Sequence, residues 1–321
     1  MALFVSFLVK NQQRTMSITQ HPTISSFLQR HADHTSGEPK LAVFDCDYTI
    51  IQGDIGEAMF YRQIREFLFR KSPADIWTDH PERPELDRLF RDLSALPPAD
   101  RSPHPAFVPF ADTLLSWYFD QLAEGKVEKG CADIARLFAG FTRAEVQTIA
   151  DATCQDELSA PLGEMTLGTR RLPRGSRYIQ ESVDLALSLT QLGFSLWAIS
   201  GSNKWSVEPV FRPLGVPRGQ VIGIDLVEVG GYFSTEPEEP IPIRHRKVDA
   251  IQQRTGTVPL LAVSDSRNDI PLLQYASEVR VYVNSHGRAI DTFFASTGIT
   301  PDSSWVVIET PTVINGMLPH G

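Results

Sequence analysis

Three short apolar runs, each followed at once by polar or acidic residues, constrain the fold of this chain more than any other feature. The runs occupy residues 40–44, 194–199 and 259–263, and residues 280–284 form a possible fourth. A short, continuous apolar run is typical of a strand buried on both faces, as in a parallel sheet. We therefore predict buried parallel strands whose carboxyl ends carry polar side chains.

Helical patterns separate these predicted strands. They cover residues 176–192, 247–254 and 268–275, and glycines follow the first two at Gly193 and Gly256. Alternation of strand and helix predicts an α/β fold, a Rossmann-like parallel sheet with helices on both faces. In such sheets ligands bind at the carboxyl ends of the strands, where the polar clusters lie.

The middle of the chain has a different sequence pattern, which predicts a second domain. Residues 57–170 hold five helical patterns, few strand-like runs and a proline-rich interruption near residues 97–109. We predict that residues 57–170 form an inserted helical cap, which interrupts an α/β core of residues 40–56 and 171–321. Residues 1–39 are predicted to form an N-terminal arm, partly disordered or with a short helix. Gly230 and Gly231 indicate a hairpin turn.

Charge and cysteine content narrow the class of partner. The 321 residues include 30 Lys and Arg against 39 Asp and Glu, a formal net charge of −9. A nucleic-acid-binding surface is basic, so we expect no nucleic-acid partner. The cysteines at 46, 131 and 154 show no CxxC spacing, which predicts free thiols in a reducing compartment.

The first ten residues are the longest apolar stretch near the start. They lack a basic segment and a cleavage site and are too short to span a bilayer, and Met16 is an alternative start. We therefore expect a soluble, cytoplasmic protein with no membrane partner. The sequence does not predict an oligomeric state.

The sharpest polar cluster is Asp45-Cys46-Asp47-Tyr48-Thr49, directly after the first strand. Where the chain turns at the strand end, the two carboxylates can converge on one point. Carboxylates that close repel one another, so a cation is expected between them. Mg²⁺ is the natural ion for a site built from oxygen ligands. A solvated acidic turn or a helix cap remains the alternative.

Three further clusters occupy comparable positions. Asp265 and Asp269 follow the strand at 259–263, and Ser200-Gly201-Ser202 offers hydroxyls and exposed amides to an anion. Lys247 stands at a helix start. Taken singly, these clusters are equally compatible with a helix cap, a Ser/Gly turn and a solvated basic face. Their joint placement at strand and helix ends is far more specific.

In this order, the four clusters resemble the four motifs of the haloacid dehalogenase superfamily, in its phosphatase branch. The resemblance covers about residues 40–56 and 172–290. Within the branch the chain is most similar to the phosphoserine phosphatase-like and phosphocholine phosphatase-like group, through the helical cap, the Ile-Ser-Gly second motif and the Asp-x-x-Asn-Asp-x-Pro-Leu-Leu fourth motif. Tyr48 and Ser264 depart from the smaller residues that are common there.

The resemblance implies a role for each motif residue. Asp45 would be the nucleophile that forms an aspartyl-phosphate, and Asp47 the general acid and base. Thr49 and Ser200 would hydrogen-bond the site and the phosphate, with Gly201 beside them, and Lys247 would offset negative charge.

The resemblance also implies the metal and phosphate contacts. Mg²⁺ would bind Asp45, Asp265 and the main-chain carbonyl of Asp47. Asp269 would hold Lys247 or a water on the metal. Asn268 matches a position that contacts phosphate.

The substrate expectation comes from the residues that follow the first motif. Asp54 matches the position at which the phosphoserine group binds the substrate amine, and Glu57 lies one helical turn further on. The similarity implies a substrate with a cationic tail, such as phosphoserine or phosphocholine. Capping of the next helix by Asp54 is the alternative, and it does not exclude binding.

The predicted function is therefore a Mg²⁺-dependent phosphatase that hydrolyses a small phosphomonoester. Two alternatives remain open. One is phosphotransfer to an acceptor other than water, and the other is a catalytically silent binding protein on the same fold.

Overall fold

The computed structural model describes residues 17–32, 39–315 and 318. The apolar run at residues 1–10 and the alternative start at Met16 lie outside them. Within the described arm, residues 22–32 form a helix that buries Ile24 and Phe27 in the core. This extends the short helix predicted there.

The strands and helices alternate in the core and cluster in the middle of the chain. The strands are β1 Leu41–Phe44, β2 Ile51–Gln52, β3 Gly163–Leu167, β4 Arg170–Arg174, β5 Arg177–Tyr178, β6 Ser195–Asn203, β7 Val221–Ile224, β8 Leu226–Val229, β9 Tyr232–Pro237, β10 Leu261–Ser264, β11 Val279–Val283 and β12 Trp305–Ile308. The α-helices are α1 Pro22–Ala32, α2 Ile55–Arg65, α3 Pro73–Ile76, α4 Arg83–Ser94, α5 Pro98–Arg101, α6 Phe107–Ala123, α7 Val127–Arg136, α8 Arg143–Ser159, α9 Gln180–Gln191, α10 Lys204–Phe211, α11 Arg246–Thr255, α12 Ile270–Tyr275 and α13 Ile290–Thr297.

A six-stranded parallel sheet forms the centre of the molecule, in the order β12-β11-β10-β1-β6-β7. Its central strand β1 contributes Ala42 and Phe44 to one core and Leu41 and Val43 to another. Because successive strand side chains point to opposite faces, both faces of the sheet are covered by apolar groups. The predicted Rossmann-like α/β architecture is confirmed.

The register of the sheet determines which residues meet at its carboxyl edge. Phe44 is level with Val263 on β10 and with Ala198 on β6. The Asp45 N–H donates to the Val263 carbonyl at 2.9 Å, which extends the ladder by one residue. The residues that follow β1, β6 and β10 therefore lie side by side.

Helices α2 to α8 lie between β2 and β3, where the cap is predicted. They enclose an apolar cluster of their own, in which Ile64, Phe110 and Leu114 are fully buried. Helix α8 begins with a capping box: Thr142 accepts the Glu145 N–H, and the Glu145 carboxylate accepts the Thr142 N–H.

Two strand pairs near the end of this insert were not predicted. Strands β3 and β4 form an antiparallel hairpin across the predicted boundary at residue 170. The helix predicted at 176–192 begins only at Gln180, because Arg177 and Tyr178 pair with β2. This ribbon ties together the chain segments that enter and leave the insert. No helix in the described part of the chain combines the length and apolarity needed to cross a membrane.

Candidate active site

Asp45 lies directly after the central strand and is 5% exposed. Its Oδ1 is 3.0 Å from Lys247 Nζ and accepts the Cys46 N–H at 2.8 Å. Its Oδ2 is 3.4 Å from the Ser264 hydroxyl. Burial raises the pKa of Asp45 well above its ordinary value, and the Lys247 charge opposes that rise. One carboxylate oxygen is thus firmly anchored, and the other is held less tightly.

Asp47 lies at the same strand end in a different environment. Its Oδ1 accepts the Ile55 N–H at 2.8 Å, and its Oδ2 accepts the hydroxyls of Ser200 at 3.0 Å and Ser202 at 2.7 Å. Burial raises the pKa of Asp47, and these three hydrogen bonds oppose the rise. Asp47 therefore has no cation beside it at hydrogen-bond distance among the described residues, in contrast to Asp45.

Both serines belong to β6, which continues past its predicted end at residue 199 to Asn203. Its pairing with β7 is irregular between Ile199 and Asn203. A side chain at Gly56 would collide with Ser202, so a glycine in α2 leaves room for this serine. The resemblance assigns a role to Ser200 alone, and in the structure the hydroxyls of both Ser200 and Ser202 contact Asp47.

Lys247, in α11, is buried between two carboxylates. Its Nζ donates to Asp269 Oδ2 at 2.6 Å and lies 3.0 Å from Asp45 Oδ1. Burial disfavours the charged form of Lys247, but the attraction and hydrogen bonds of Asp269 and Asp45 together have the larger effect. The pKa of Lys247 is therefore raised. The Ser264 hydroxyl also donates to Asp269 Oδ2, at 2.7 Å. Of the two roles predicted for Asp269, the structure displays the contact with Lys247.

Asp265 is buried and is held from two sides. The Thr49 hydroxyl lies 3.3 Å from its Oδ1 and accepts the Asp265 N–H at 3.0 Å. On the other side, His286 Nε2 is 3.0 Å from its Oδ2. Thr49 is fully buried, so it supports the site from beneath.

Asp54 and Glu57 differ in their access to the site. Asp54 caps α2, since its Oδ1 accepts the Glu57 N–H at 2.8 Å. Burial raises the pKa of Asp54 well above its ordinary value, and the nearby charges of Asp47 and Glu57 add to the rise. The Glu57 carboxylate accepts the hydroxyls of Tyr61 at 2.6 Å and Tyr118 at 3.1 Å.

A cavity of about 240 Å³ opens above these groups. Most of the predicted site residues line it, namely Asp45, Asp47, Asp54, Ser200, Gly201, Lys247, Asp265, Asn268 and Asp269. Thr49 lies below the lining, and Glu57 is directed to the two tyrosines instead. Asp54 therefore caps α2 and also lines the cavity, while its predicted contact with a substrate amine stays a prediction.

Several lining residues were missed by sequence reasoning. They include Val127 and Cys131 from α7, Ile243 and Arg244 before α11, and His286 after β11. Polar residues after an apolar run were the signal for the other clusters, and Ser285-His286 follows the run at 280–284 in the same way. The signal for His286 was therefore present. The residues from α7 carried no such signal, because only tertiary packing brings them to the cavity.

The donor set at this edge suits a hard cation. No three His, Cys, Asp or Glu side chains within the described ranges form a complete metal site. The predicted ligands are two carboxylates, from Asp45 and Asp265, with the main-chain carbonyl of Asp47. Asp45 and Asp265 are buried and close enough that the Asp265 charge raises the pKa of Asp45. Oxygen donors with excess negative charge fit Mg²⁺.

The chain belongs to the haloacid dehalogenase-like hydrolase family, whose model matches residues 42–274. The match covers the inserted helices and the core strands from β1 to β10. No protein with a curated description matches the sequence.

The solved structures that are similar to this chain are distant from it in sequence. A conserved protein of unknown function from Anaerococcus prevotii DSM 20548 is 16% identical, with a TM-score of 0.61 over 81% of this chain and 85% of that one. A protein of unknown function from Bordetella pertussis Tohama I is 17% identical, with a TM-score of 0.53 over 84% and 98%. A phosphoserine phosphatase with a phospho-aspartyl intermediate analogue is 13% identical, with a TM-score of 0.43 over 85% and 95%.

Proposed function

We propose that the protein is a Mg²⁺-dependent phosphatase that hydrolyses a small phosphomonoester through an aspartyl-phosphate. The observation that carries this proposal is the pair of carboxylates after β1. Asp45 and Asp47 face one cavity, yet Asp45 is paired with Lys247 whereas Asp47 is bound by two serine hydroxyls. Two carboxylates in different environments can take the two separate roles that the reaction needs.

In the first half-reaction, a carboxylate oxygen of Asp45 attacks phosphorus and forms an acyl-phosphate bond. The bond between phosphorus and the leaving oxygen breaks, and Asp47 donates a proton to that oxygen. Lys247 stays beside Asp45 and offsets the negative charge of the phosphoryl group. Ser200, Gly201 and Asn268, on the cavity wall, would contact the phosphate oxygens.

In the second half-reaction, Asp47 accepts a proton from a water molecule that attacks the acyl-phosphate. The oxygen–phosphorus bond to Asp45 breaks, and phosphate leaves. Asp45, Asp265 and the Asp47 carbonyl would hold Mg²⁺, which supplies electrostatic stabilisation of the phosphate oxygens. Asp269 orients Lys247 through the 2.6 Å hydrogen bond.

The wild-type chain is expected to release inorganic phosphate from p-nitrophenyl phosphate when Mg²⁺ is present. Activity should disappear with EDTA and return when Mg²⁺ is restored in excess. Measuring nitrophenol and phosphate together, with and without added alcohols, separates hydrolysis from transfer to another acceptor. No turnover of any phosphomonoester would favour the catalytically silent protein instead.

For the substrate, we propose a phosphomonoester with an amino or ammonium group. The support is Asp54, a half-buried acid that lines the same cavity as Asp45. Burying an acid without a cationic partner is unfavourable, and a bound ammonium group would supply that partner. The aromatic residues Phe60, Trp77 and Trp117 of the cap pack in its apolar cluster and do not line the cavity.

Asp54→Asn is expected to remove the preference for cationic substrates. A hydrogen bond to a charged group contributes about 1.5–3 kcal/mol, so kcat/KM for phosphoethanolamine and phosphoserine should fall by about 10-fold or more. Phosphocholine, whose ammonium group has no N–H to donate, loses only the charge attraction and should fall less. Asparagine also caps helices, so α2 should stay intact. Steady-state kinetics on this panel, with p-nitrophenyl phosphate as the reference that lacks a cationic group, makes the measurement.

The matched control is Glu57→Gln, which changes an acid outside the cavity lining. It should retain most of the preference for amine-bearing esters. An unaltered preference in Asp54→Asn, or a wild-type enzyme without any such preference, would refute the assignment of the substrate class.

A further inference from the structure

The loop after β11, residues 284–288, belongs to none of the four motifs, yet it reaches the site. Its conformation is held by Asn284, which is 5% exposed. Asn284 Oδ1 accepts the Arg288 N–H at 2.9 Å, and Asn284 Nδ2 donates to the carbonyls of Arg288 at 2.9 Å and Glu309 at 3.3 Å. A buried amide with these partners holds the loop in one conformation.

Two consecutive residues of this loop contact the first and fourth motifs. The Ser285 hydroxyl donates a short hydrogen bond to the Tyr48 carbonyl. The His286 ring lies 4.5 Å from the Tyr48 ring between centroids, and its Nε2 is 3.0 Å from Asp265 Oδ2. A carboxylate oxygen only accepts hydrogen bonds, so in this contact His286 Nε2 carries the hydrogen and donates it.

The backbone conformation of Tyr48 further constrains the contact between His286 and Asp265. Its backbone is in the left-handed region, at φ 55°, which is uncommon for a bulky residue. Such a conformation persists only when the surroundings hold it in place. The Ser285 hydrogen bond and the His286 ring are two of the contacts that do so, and they bring His286 to Asp265.

We propose that His286 is a positioning residue for Asp265, which holds the carboxylate in the orientation that binds the divalent cation. The inference rests on the metal site of the proposed function. Thr49 contacts Oδ1 and His286 contacts Oδ2, so both oxygens are oriented before a cation arrives. Each oxygen has a further lone pair for the metal. Loss of such a supporting contact typically costs 10–100-fold in metal affinity, and because 35% of the His286 side chain is exposed we expect about the lower value.

The test is calorimetric titration of Mg²⁺ into the metal-free full chain. His286→Phe retains a ring against Tyr48 but removes the donor, and it should raise the Kd for Mg²⁺ about 10-fold. His286→Gln places an amide donor near the position of Nε2, and its Kd should stay within about threefold of wild type. The thermal unfolding temperature of the metal-free protein should be similar in all three.

A wild-type Kd in His286→Phe, or equal weakening by Phe and Gln, would overturn the inference. So would a wild-type chain that binds no Mg²⁺. If His286→Phe does not fold, His286→Ala replaces it with the same expected rise in Kd. A wild-type chain that binds Mg²⁺ but hydrolyses no phosphomonoester would overturn the proposed function and leave the role of His286 to be decided by the titration.

Discussion

Asp45→Asn is expected to lower kcat with p-nitrophenyl phosphate and Mg²⁺ by about 10⁴-fold or more, as for removal of a nucleophile elsewhere. The amide has the shape of the carboxylate but cannot form the acyl-phosphate bond. Asp45 Oδ1 faces Lys247 at 3.0 Å, and Lys247 keeps its second partner, Asp269, in the variant. The fold should therefore survive. Steady-state kinetics would measure kcat, and circular dichroism would measure whether the fold is retained.

The control for this substitution is Asp120→Asn, which makes the same chemical change at an exposed position on α6. It should leave kcat unchanged. Retention of more than about 1% of wild-type activity in Asp45→Asn would rule out the aspartyl-phosphate mechanism, since loss of the nucleophile costs far more than that.

Lys247→Met is expected to be the most destabilising single change at the site. The lysine is 4% exposed and offsets the charge of two buried carboxylates, Asp45 and Asp269. Removing one partner of a buried ion pair leaves uncompensated charge and costs about 3–5 kcal/mol in the free energy of unfolding. Urea denaturation at pH 7 in the presence of EDTA measures this loss without a contribution from bound metal.

The loss should depend on pH in a defined direction. Burial already raises the pKa of Asp45 in the folded state, and without Lys247 the opposing influence is gone. Because the pKa of Asp45 is higher in the folded than in the unfolded chain, the loss of unfolding free energy is small below the unfolded-state pKa. The loss grows as pH rises through the folded-state pKa of Asp45. The variant should therefore be closest to wild type in acid. Lys71→Met, at an exposed position, should have no comparable effect, and an equal loss there or a loss independent of pH would contradict the buried ion pair as the cause.

The fold was predictable where local pattern and tertiary burial agree. Strands β1 and β10 are continuous apolar runs because both faces of the sheet are covered. The acidic residues after them lie at the carboxyl ends of parallel strands, which is where ligand sites form in such sheets. Strand β12, Trp305–Ile308, was missed; it lies at the edge of the sheet, and one of its residues in two is only half-buried. The hairpin β3–β4 was missed because it contains no continuous apolar run: five of its ten residues are exposed, and only Leu167 and Leu172 are buried.

The site was predictable as a set of residues, but their individual contacts were not. Spacing places Asp45, Asp47 and Asp265 at one edge, whereas the different partners of Asp45 and Asp47 depend on side chains from α11 and β6. The continuation of β6 through Ser202 was hidden because Ser200 and Gly201 look like a turn. For His286, the position after an apolar run was readable in the sequence, but its hydrogen bond to Asp265, 21 positions away, was not.

The ribbon of β2 and β5 has a consequence for how the molecule can move. It joins the two ends of the insert directly below the first motif, where Ile51 pairs with Tyr178 and Gln52 with Arg177. The insert has an apolar cluster of its own, but Ala135 and Val146, from α7 and α8, belong to clusters shared with the core residues Ile224 and Trp205. The insert is therefore held to the core by apolar packing as well as by the ribbon, and β1 stays paired with β10 and β6 on either side. A displacement of α2, whose first residue is Ile55, would alter the hydrogen bond from the Ile55 N–H to Asp47 while the backbone of Asp45 stays in the sheet.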